Sequence, residues 1–304
     1  MRDAFSSAIV DFSKFNKNIF VVAADISPEG KMAIFQEKNK EKFINVGVAE
    51  QTMIGVCAGL AMMGKKPFAY TISTFSLYRP FEMIRNDLCY QNLPVTIVGM
   101  GAGTIYSTLG ATHLTQEDIA ITRSIPNMQV LAPCDPNELE KCIKFCAEKS
   151  IRPTYLRIGK KGEKNFSKIN NWKFGKINCL QKGEKLCIIS YGPIIKKAFE
   201  IQKMIKKKIS IYSSHSLKPF DLAGLNKIFK SYEQIITLED HSLIGGLATI
   251  VNENSSKYKY KGKIKNFGLK DEFIHSYGTQ DQLLDLHGIS NKKILKYLTR
   301  NNYV

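Results

Sequence analysis

Short apolar runs alternate with longer segments of helical period in this chain, and few architectures accept that pattern. In the first half the runs are Ile19–Ala24, Phe43–Val46, Pro67–Ile72, Pro94–Met100, Met128–Leu131 and Thr154–Ile158. Most are continuous in apolar character rather than alternating, as strands buried on both faces are. Ala4, Phe5, Ala8, Ile9 and Phe12 recur at helical spacing before the first run, and the apolar stretch Ile54–Met63 follows the second. Alternating strand and helix predicts an α/β fold with a parallel sheet covered on both faces, a doubly wound domain over residues 1–160. A loop carrying Pro28 and Gly30 is expected over 27–31.

A second α/β pattern follows. Leu186–Ser190, Ile209–Ser213, Ile235–Leu238 and Ile264–Phe267 read as strands, with helices between them and Gly245-Gly246 opening one of these. The segment before it is rich in Lys, Asn and Gly and holds the single tryptophan, Trp172. This predicts a linker over 161–179 and a smaller, second doubly wound domain over 180–304.

Open parallel sheets bind ligands beyond the carboxyl ends of their strands. Asp25, Glu50, Phe75, the loop Gly101–His113 and Arg157 all fall at such ends. Among them Glu50 is the most suggestive. Phe43–Val46 is a strand, Gly47 breaks it, and a helix is expected to begin near Ala49. A carboxylate on that first turn gains from the helix N-terminus. Its neighbours Val48, Ala49 and Met53 leave it little water. Thr115 is the expected N-cap of the helix starting near Gln116, with Glu117 and Asp118 as partners of its dipole.

Bulk properties bound the setting. No run of 18 apolar residues occurs, so no transmembrane helix is expected. The N-terminal MRDAFSSAIVDF has no apolar signal-peptide core, so a cytoplasmic protein is expected. Seven cysteines, scattered in apolar contexts, fit reduced core thiols, and Cys142 and Cys146 share a helix face as packing residues. The net charge of +17 comes largely from three lysine-rich stretches, Lys160–Lys164, Lys196–Lys208 and Lys257–Lys265. Only the third interleaves aromatic residues, Tyr258 and Tyr260, so no nucleic-acid partner is expected. Solvated lysine faces, or an acidic partner or anionic substrate, account for the charge instead.

In GVAEQ around Glu50, AYTISTF ending at Phe75 and LGATH ending at His113, the chain resembles the transketolase superfamily of thiamine-diphosphate enzymes. The likeness is to the C-terminal half of a transketolase or a 1-deoxyxylulose-5-phosphate synthase. Ser214–Asp221 (SHSLKPFD) and Glu239–Ala248 (EDHSLIGGLA) extend it into the second domain. The resemblance implies a pyrimidine-binding domain over 1–160 and a transketolase C-terminal domain over 180–304.

It also implies roles. The family's glutamate falls at Glu50, which would hydrogen-bond the cofactor's pyrimidine nitrogen so that the cofactor's own amino group can take the C2 proton. An apolar setting favours that shared proton. Phe75 would stack on the pyrimidine face. Tyr78 and Arg79 follow it and border either the ring or the substrate. His113 would face the substrate, donating to a developing oxyanion or moving protons. Arg157 would grip a substrate phosphate with its guanidinium fork. Asp25 would bind substrate hydroxyls or cap the next segment. His241 reads as structural and far from the site.

Two departures matter. The family's Gly-Asp-Gly motif, which holds Mg²⁺ and the diphosphate, does not occur in this sequence. A hard Mg²⁺ needs oxygen ligands and phosphate. The expectation is therefore a split enzyme, in which a partner subunit resembling the N-terminal half of transketolase supplies that motif, and a dimer of this chain sits within a heterotetramer. The other departure is Leu109, which stands where the family usually carries an aspartate for a donor hydroxyl. Leucine cannot hydrogen-bond, and a buried hydroxyl facing it loses about 1–3 kcal/mol. Gly101 likewise replaces an arginine. An altered substrate follows, a phosphorylated or nucleotide-linked sugar. The leading expectation is ketol transfer between sugar-type substrates. The alternatives are a deoxyxylulose-synthase-like or other pyruvate-using carboligase subunit, or a non-catalytic subunit.

Overall fold

The computed structural model describes residues 1–304 except 27, 29, 169, 171 and 304. Positions 27 and 29 of the expected loop, and 169 and 171 of the expected linker, lie outside the described residues. The chain forms two sheets. The first is built from β1 (Ile19–Ala23), β2 (Phe43–Asn45), β3 (Lys66–Ile72), β4 (Thr96–Met100), β5 (Gln129–Leu131), β6 (Thr154–Ile158) and, from far along the chain, β10 (Ser216–Lys218). The second holds β7 (Asn178–Gln181), β8 (Glu184–Ser190), β9 (Ile209–Ser213), β11 (Gln234–Ser242) and β12 (Lys263–Leu269).

The first sheet runs in the order β10-β5-β6-β4-β3-β1-β2 and is parallel except for β10. The second runs β12-β11-β8-β9-β7 and is parallel except for the edge strand β7. β4 and β6 are buried along their whole length, as strands covered on both faces are. At Gly99 in β4 a side chain would meet the Tyr155 ring of β6, its Cβ lying 2.5 Å from the phenol oxygen. The glycine thus leaves room for Tyr155 to cross the sheet face.

Two strands were not foreseen. β7 begins at Asn178, inside the segment expected as linker. β10 leaves the second half of the chain and pairs antiparallel with β5, Ser216 opposite Leu131. The two halves are therefore not independent layers. A single apolar cluster joins Ile54, Ile97 and Ile119 of the first half to Cys187, Leu225 and Leu247 of the second. Each fully buried aliphatic side chain of this kind contributes roughly 1.5–3 kcal/mol.

Other local expectations are revised. A helix not expected from the sequence runs over Lys31–Lys38 and buries only Met32 and Phe35. The helix expected near Gln116 is Asp118–Ser124, with Glu117 at its N-cap. Thr115 instead pairs with Gly103 in an isolated bridge. Glu239, Asp240 and His241 lie within β11 rather than beyond its end. All seven cysteines are free, and six are buried, including Cys142 and Cys146. Among the described residues no helix is long and apolar enough to cross a membrane.

Candidate active site

Glu50 is the first residue of the helix Glu50–Met62, with Ala49 at the N-cap. Alanine offers no capping oxygen, so an acidic side chain on the first turn is the available partner for the helix's positive end. The carboxylate is 4% exposed. Its Oε2 accepts Nη1 of Arg79 at 3.0 Å. Arg79 arrives from the turn after β3, where the short helix Ser73–Leu77 starts directly at the strand end.

That short helix is the hub of the site. It carries Phe75, half-buried, whose ring meets the His113 imidazole edge to face at 5.1 Å and 78°. His113 closes the Gly101–His113 loop in the turn Ala111–His113, with Nδ1 3.1 Å from Thr112 Oγ1. Tyr106 from the same loop lies edge-on to the imidazole at 6.4 Å. Phe75 thus touches His113, and Arg79, four residues on, touches Glu50. Tyr78 lies between them. It is 36% exposed, and partial burial with the nearby Asp118 and Glu117 carboxylates raises its phenol above the usual range.

The floor of this site is a buried polar network. Ser73 Oγ shares a hydrogen bond of 2.8 Å with Tyr155 OH, which donates to Asp118 Oδ2 at 2.7 Å. Arg157 Nε donates to the same oxygen at 2.8 Å, and its Nη2 donates to the Asp240 carbonyl at 2.7 Å. Burial opposes the charged guanidinium. Asp118, Tyr191 and Asp240 outweigh it and hold Arg157 above its ordinary pKa. The Arg157 side chain is only 4% exposed. Two guanidinium nitrogens of Arg157, Nε and Nη2, thus face Asp118 and a carbonyl inside the protein.

The expected remoteness of His241 is corrected. It is fully buried, its Nε2 accepts from the Ala120 amide at 3.3 Å, and it lies 3.8 Å from Asp118 Oδ1. Nδ1 faces the Ser242 carbonyl at 2.6 Å and carries the proton in that tautomer. Burial, opposed by Asp118, lowers its pKa to about 4, so the ring is neutral at pH 7. It belongs to the network beneath the site rather than to a remote region. Asp118, expected only as a helix-dipole partner, is that network's central anion.

The second half of the chain also holds the Gly101–His113 loop in place. Asp240 accepts from Thr104 N at 3.0 Å and from Thr104 Oγ1 at 2.9 Å. A Cβ on Gly103 would sit 2.4 Å from Asp240 Oδ2, and its φ of +76° suits glycine. Burial raises the Asp240 carboxyl, against the pull of Arg157 and Thr104.

The remaining expected residues are peripheral. Asp25 is exposed at the end of β1 with φ 54°, its amide donating to Asn45 Oδ1 at 3.3 Å. It does not cap the next helix, whose N-cap is Gly30 with no side-chain cap. Leu109 is 48% exposed on the loop. The pairing of Arg79 with Glu50, the role of Tyr106, and Asp118 and Asp240 escaped sequence reasoning. Arg79 was the findable one, as the first cation beyond the Phe75 strand end.

These side chains suit one half of the implied cofactor. Glu50 offers a buried carboxyl group for a ring nitrogen, and Phe75 offers a half-buried aromatic face. Next to Phe75, Thr74 Oγ1 is buried without a hydrogen-bond partner. An orphaned hydroxyl costs about 1–3 kcal/mol, so a polar partner is wanted there. Among the described residues, no group of three or more His, Cys, Asp or Glu side chains is placed to hold a metal ion.

Nearly the whole chain is similar to known proteins. Residues 1–162 match the model for the transketolase pyrimidine-binding domain, and residues 175–294 that for the transketolase C-terminal domain. A putative transketolase C-terminal section of Methanocaldococcus jannaschii is 35% identical over 302 residues, covering 97% of this chain and 94% of that protein. One subunit of the apulose-4-phosphate transketolase of Phocaeicola vulgatus is 30% identical over 300 residues, covering 97% and 95%. A 1-deoxy-D-xylulose-5-phosphate synthase of Clostridium tetani is 32% identical over 298 residues, but these cover only 47% of its length. Among solved structures, a split-gene transketolase described as an inactive beta4 tetramer superposes with a TM-score of 0.88 at 34% identity, covering 98% of this chain and 97% of that one.

Proposed function

The chain belongs to the transketolase family, and from that premise we propose that it is the C-terminal subunit of a split, thiamine-diphosphate-dependent transketolase. The single observation that carries this reading is the buried Glu50 carboxyl on the first turn of its helix, joined through Arg79 and the Ser73–Leu77 helix to Phe75 and His113.

When bound, the cofactor supplies a nucleophilic carbon that takes a two-carbon ketol unit from one sugar-type substrate and delivers it to another. This chain's residues do the rest. Glu50 holds a proton at the pyrimidine ring nitrogen. Phe75 supplies the aromatic platform and Tyr78 borders it. His113 holds or moves a proton at the substrate oxygen, with Asp25 and Leu109 at the substrate's edge. Arg157 supports the site from below, through Asp118 and Tyr155.

The partner in this proposal is an N-terminal-half subunit bearing Gly-Asp-Gly, which holds Mg²⁺ and the diphosphate. Two copies of this chain and two of the partner make a heterotetramer, working in carbohydrate metabolism in the cytoplasm. Residues 1–160 bind the pyrimidine, and 180–304 form the C-terminal domain. The names of the relatives in Methanocaldococcus jannaschii and Phocaeicola vulgatus support the split arrangement. The substrate is a phosphorylated or nucleotide-linked sugar.

Co-expression with the partner subunit, followed by a donor screen with thiamine diphosphate and Mg²⁺, tests the reading. Turnover is expected only from the complex. Full cofactor-dependent turnover by the purified chain alone would refute it. A second reading, a pyruvate-using carboligase subunit, is favoured by the likeness to the Clostridium tetani synthase and by Leu109, which recognises no donor hydroxyl. Pyruvate consumption in the same screen separates the two.

A further inference from the structure

Two of the three lysine-rich stretches converge in space. Lys160, Lys161 and Lys164 come from the segment after β6, and Lys196 and Lys203 from the helix Lys196–Met204. All five line one cavity of about 280 Å³ between the two halves of the chain. Only two carboxylates, Glu163 and Glu200, line it with them, and Glu200 already accepts from Asn291 Nδ2 at 2.8 Å. Five lysines in the lining of one cavity concentrate positive charge that a bound polyanion would offset. None of Glu50, Phe75, Tyr78, His113 or Arg157 lines it, so it is separate from the site described above.

The cavity is not a bare charged surface. Phe166 and Phe199 stack on each other at 4.6 Å and 12° and form part of its wall. Ile194 and Leu284 add aliphatic surface. Lysine ammonium groups bind phosphate as point charges, and arginine is absent from the lining, which disfavours planar bidentate carboxylate recognition. Volume, charge and an aromatic wall together describe a pocket for a small molecule.

We infer that this cavity is a binding site for a small polyphosphorylated metabolite, with its phosphates on Lys161, Lys164 and Lys196 and any ring against the Phe166–Phe199 wall. The site lies beside the Gly101–His113 loop. Ile105 is in its wall, and Lys160 reaches from it to the Tyr106 ring at 4.7 Å.

Calorimetric titration of the full chain at about 0.15 M ionic strength tests this, since non-specific contacts are screened there. The probes are inorganic tripolyphosphate and ATP. At least one is expected to bind with Kd well below about 1 mM. The double variant Lys161→Ala/Lys164→Ala should weaken it by roughly tenfold or more. The variant Lys17→Ala/Lys38→Ala removes two exposed lysines elsewhere and should leave it unchanged. Equal affinity for both probes assigns binding to the phosphates alone, and tighter ATP assigns the base to the aromatic wall. Either supports the site. Absence of binding by both probes, or equal weakening in the two variants, overturns it.

Discussion

Arg79 Nη1 lies 3.0 Å from Glu50 Oε2, and the two side chains differ sharply in exposure, 56% against 5%. The buried carboxylate therefore has a partner that can swing away into solvent. As an ion pair with one open member, the contact is worth at most about 1 kcal/mol to stability. Its interest lies in what replaces it. On the proposed reading, a ring nitrogen would take the carboxyl group that the exposed Arg79 now occupies.

Glu50→Gln tests the carboxyl group directly. Glutamine keeps the shape and a hydrogen-bond acceptor but cannot take up or release a proton near neutral pH. Turnover by the complex with the partner subunit is expected to fall by about 10²–10⁴-fold. The melting temperature of the isolated chain should change little. Retained turnover would remove Glu50 from the chemistry.

Phe75→Ala probes the platform. The ring is half-buried and packs on His113, so its loss removes both a stacking face and the wall that orients the imidazole. Cofactor affinity in the complex should weaken by roughly 1–3 kcal/mol, or about 5- to 150-fold. Titration of thiamine diphosphate, followed by activity or calorimetry, reads this out. Phe75→Tyr keeps the platform and should recover most of the affinity.

Leu109→Asp addresses donor choice. Leu109 is 48% exposed, so a carboxylate there should fold without penalty. If this position reads a donor hydroxyl, the ratio of kcat/KM between hydroxylated and unhydroxylated donors should rise by about tenfold, the worth of one hydrogen bond to a charged group. An unchanged ratio would show that Leu109 does not set donor preference.

Much of this site was legible because parallel sheets advertise their strand ends. The apolar runs before Glu50, Phe75 and His113 placed all three on one edge, and the motifs gave them roles. Arg157 was legible in position, but its buried partners were not. Its partners Asp118 and Asp240 stand 39 and 83 residues away in the chain, and no local pattern reveals such a pairing. β10 is three residues long and lies at a sheet edge, with too few positions to show a period. Two of the three lysine stretches gave no sign of a common cavity when each was read alone. Their shared cavity exists only once the two halves pack.

Asp118→Ala should expose how much the buried network matters. It strips Arg157 of its carboxylate and Tyr155 of its acceptor while both remain buried. Breaking one side of a buried ion pair leaves an uncompensated charge, and a loss of about 3–5 kcal/mol is expected in urea unfolding. The double variant Asp118→Leu/Arg157→Met removes both charges and should recover part of that loss. Equal destabilisation by the single and double variants would mean that packing, not charge, dominates.

Glu239 gives the clearest pH signature. It is fully buried in β11 and accepts from the amides of Leu247 and Ala248, both at 2.8 Å, and from Tyr191 OH at 3.0 Å. Burial raises its pKa from an ordinary 4.5 to about 7, and the two amides and Tyr191 only partly resist this. Between those two values the folded chain binds more protons here than the unfolded chain does. Stability from this group is therefore largest below pH 4.5 and declines as pH rises to about 7, by on the order of 3 kcal/mol. His241 works in the opposite sense. Its pKa is lowered to about 4, so the unfolded chain binds more protons below pH 6.5, and stability falls as pH falls through that range. The sum in the wild type can look flat, so the comparison must be with a variant. Glu239→Gln removes one of the two slopes. Its urea-unfolding free energy should rise with pH from about 4.5 to 7 relative to the wild type, whatever its absolute offset, and a parallel pair of curves would place the Glu239 titration outside that window.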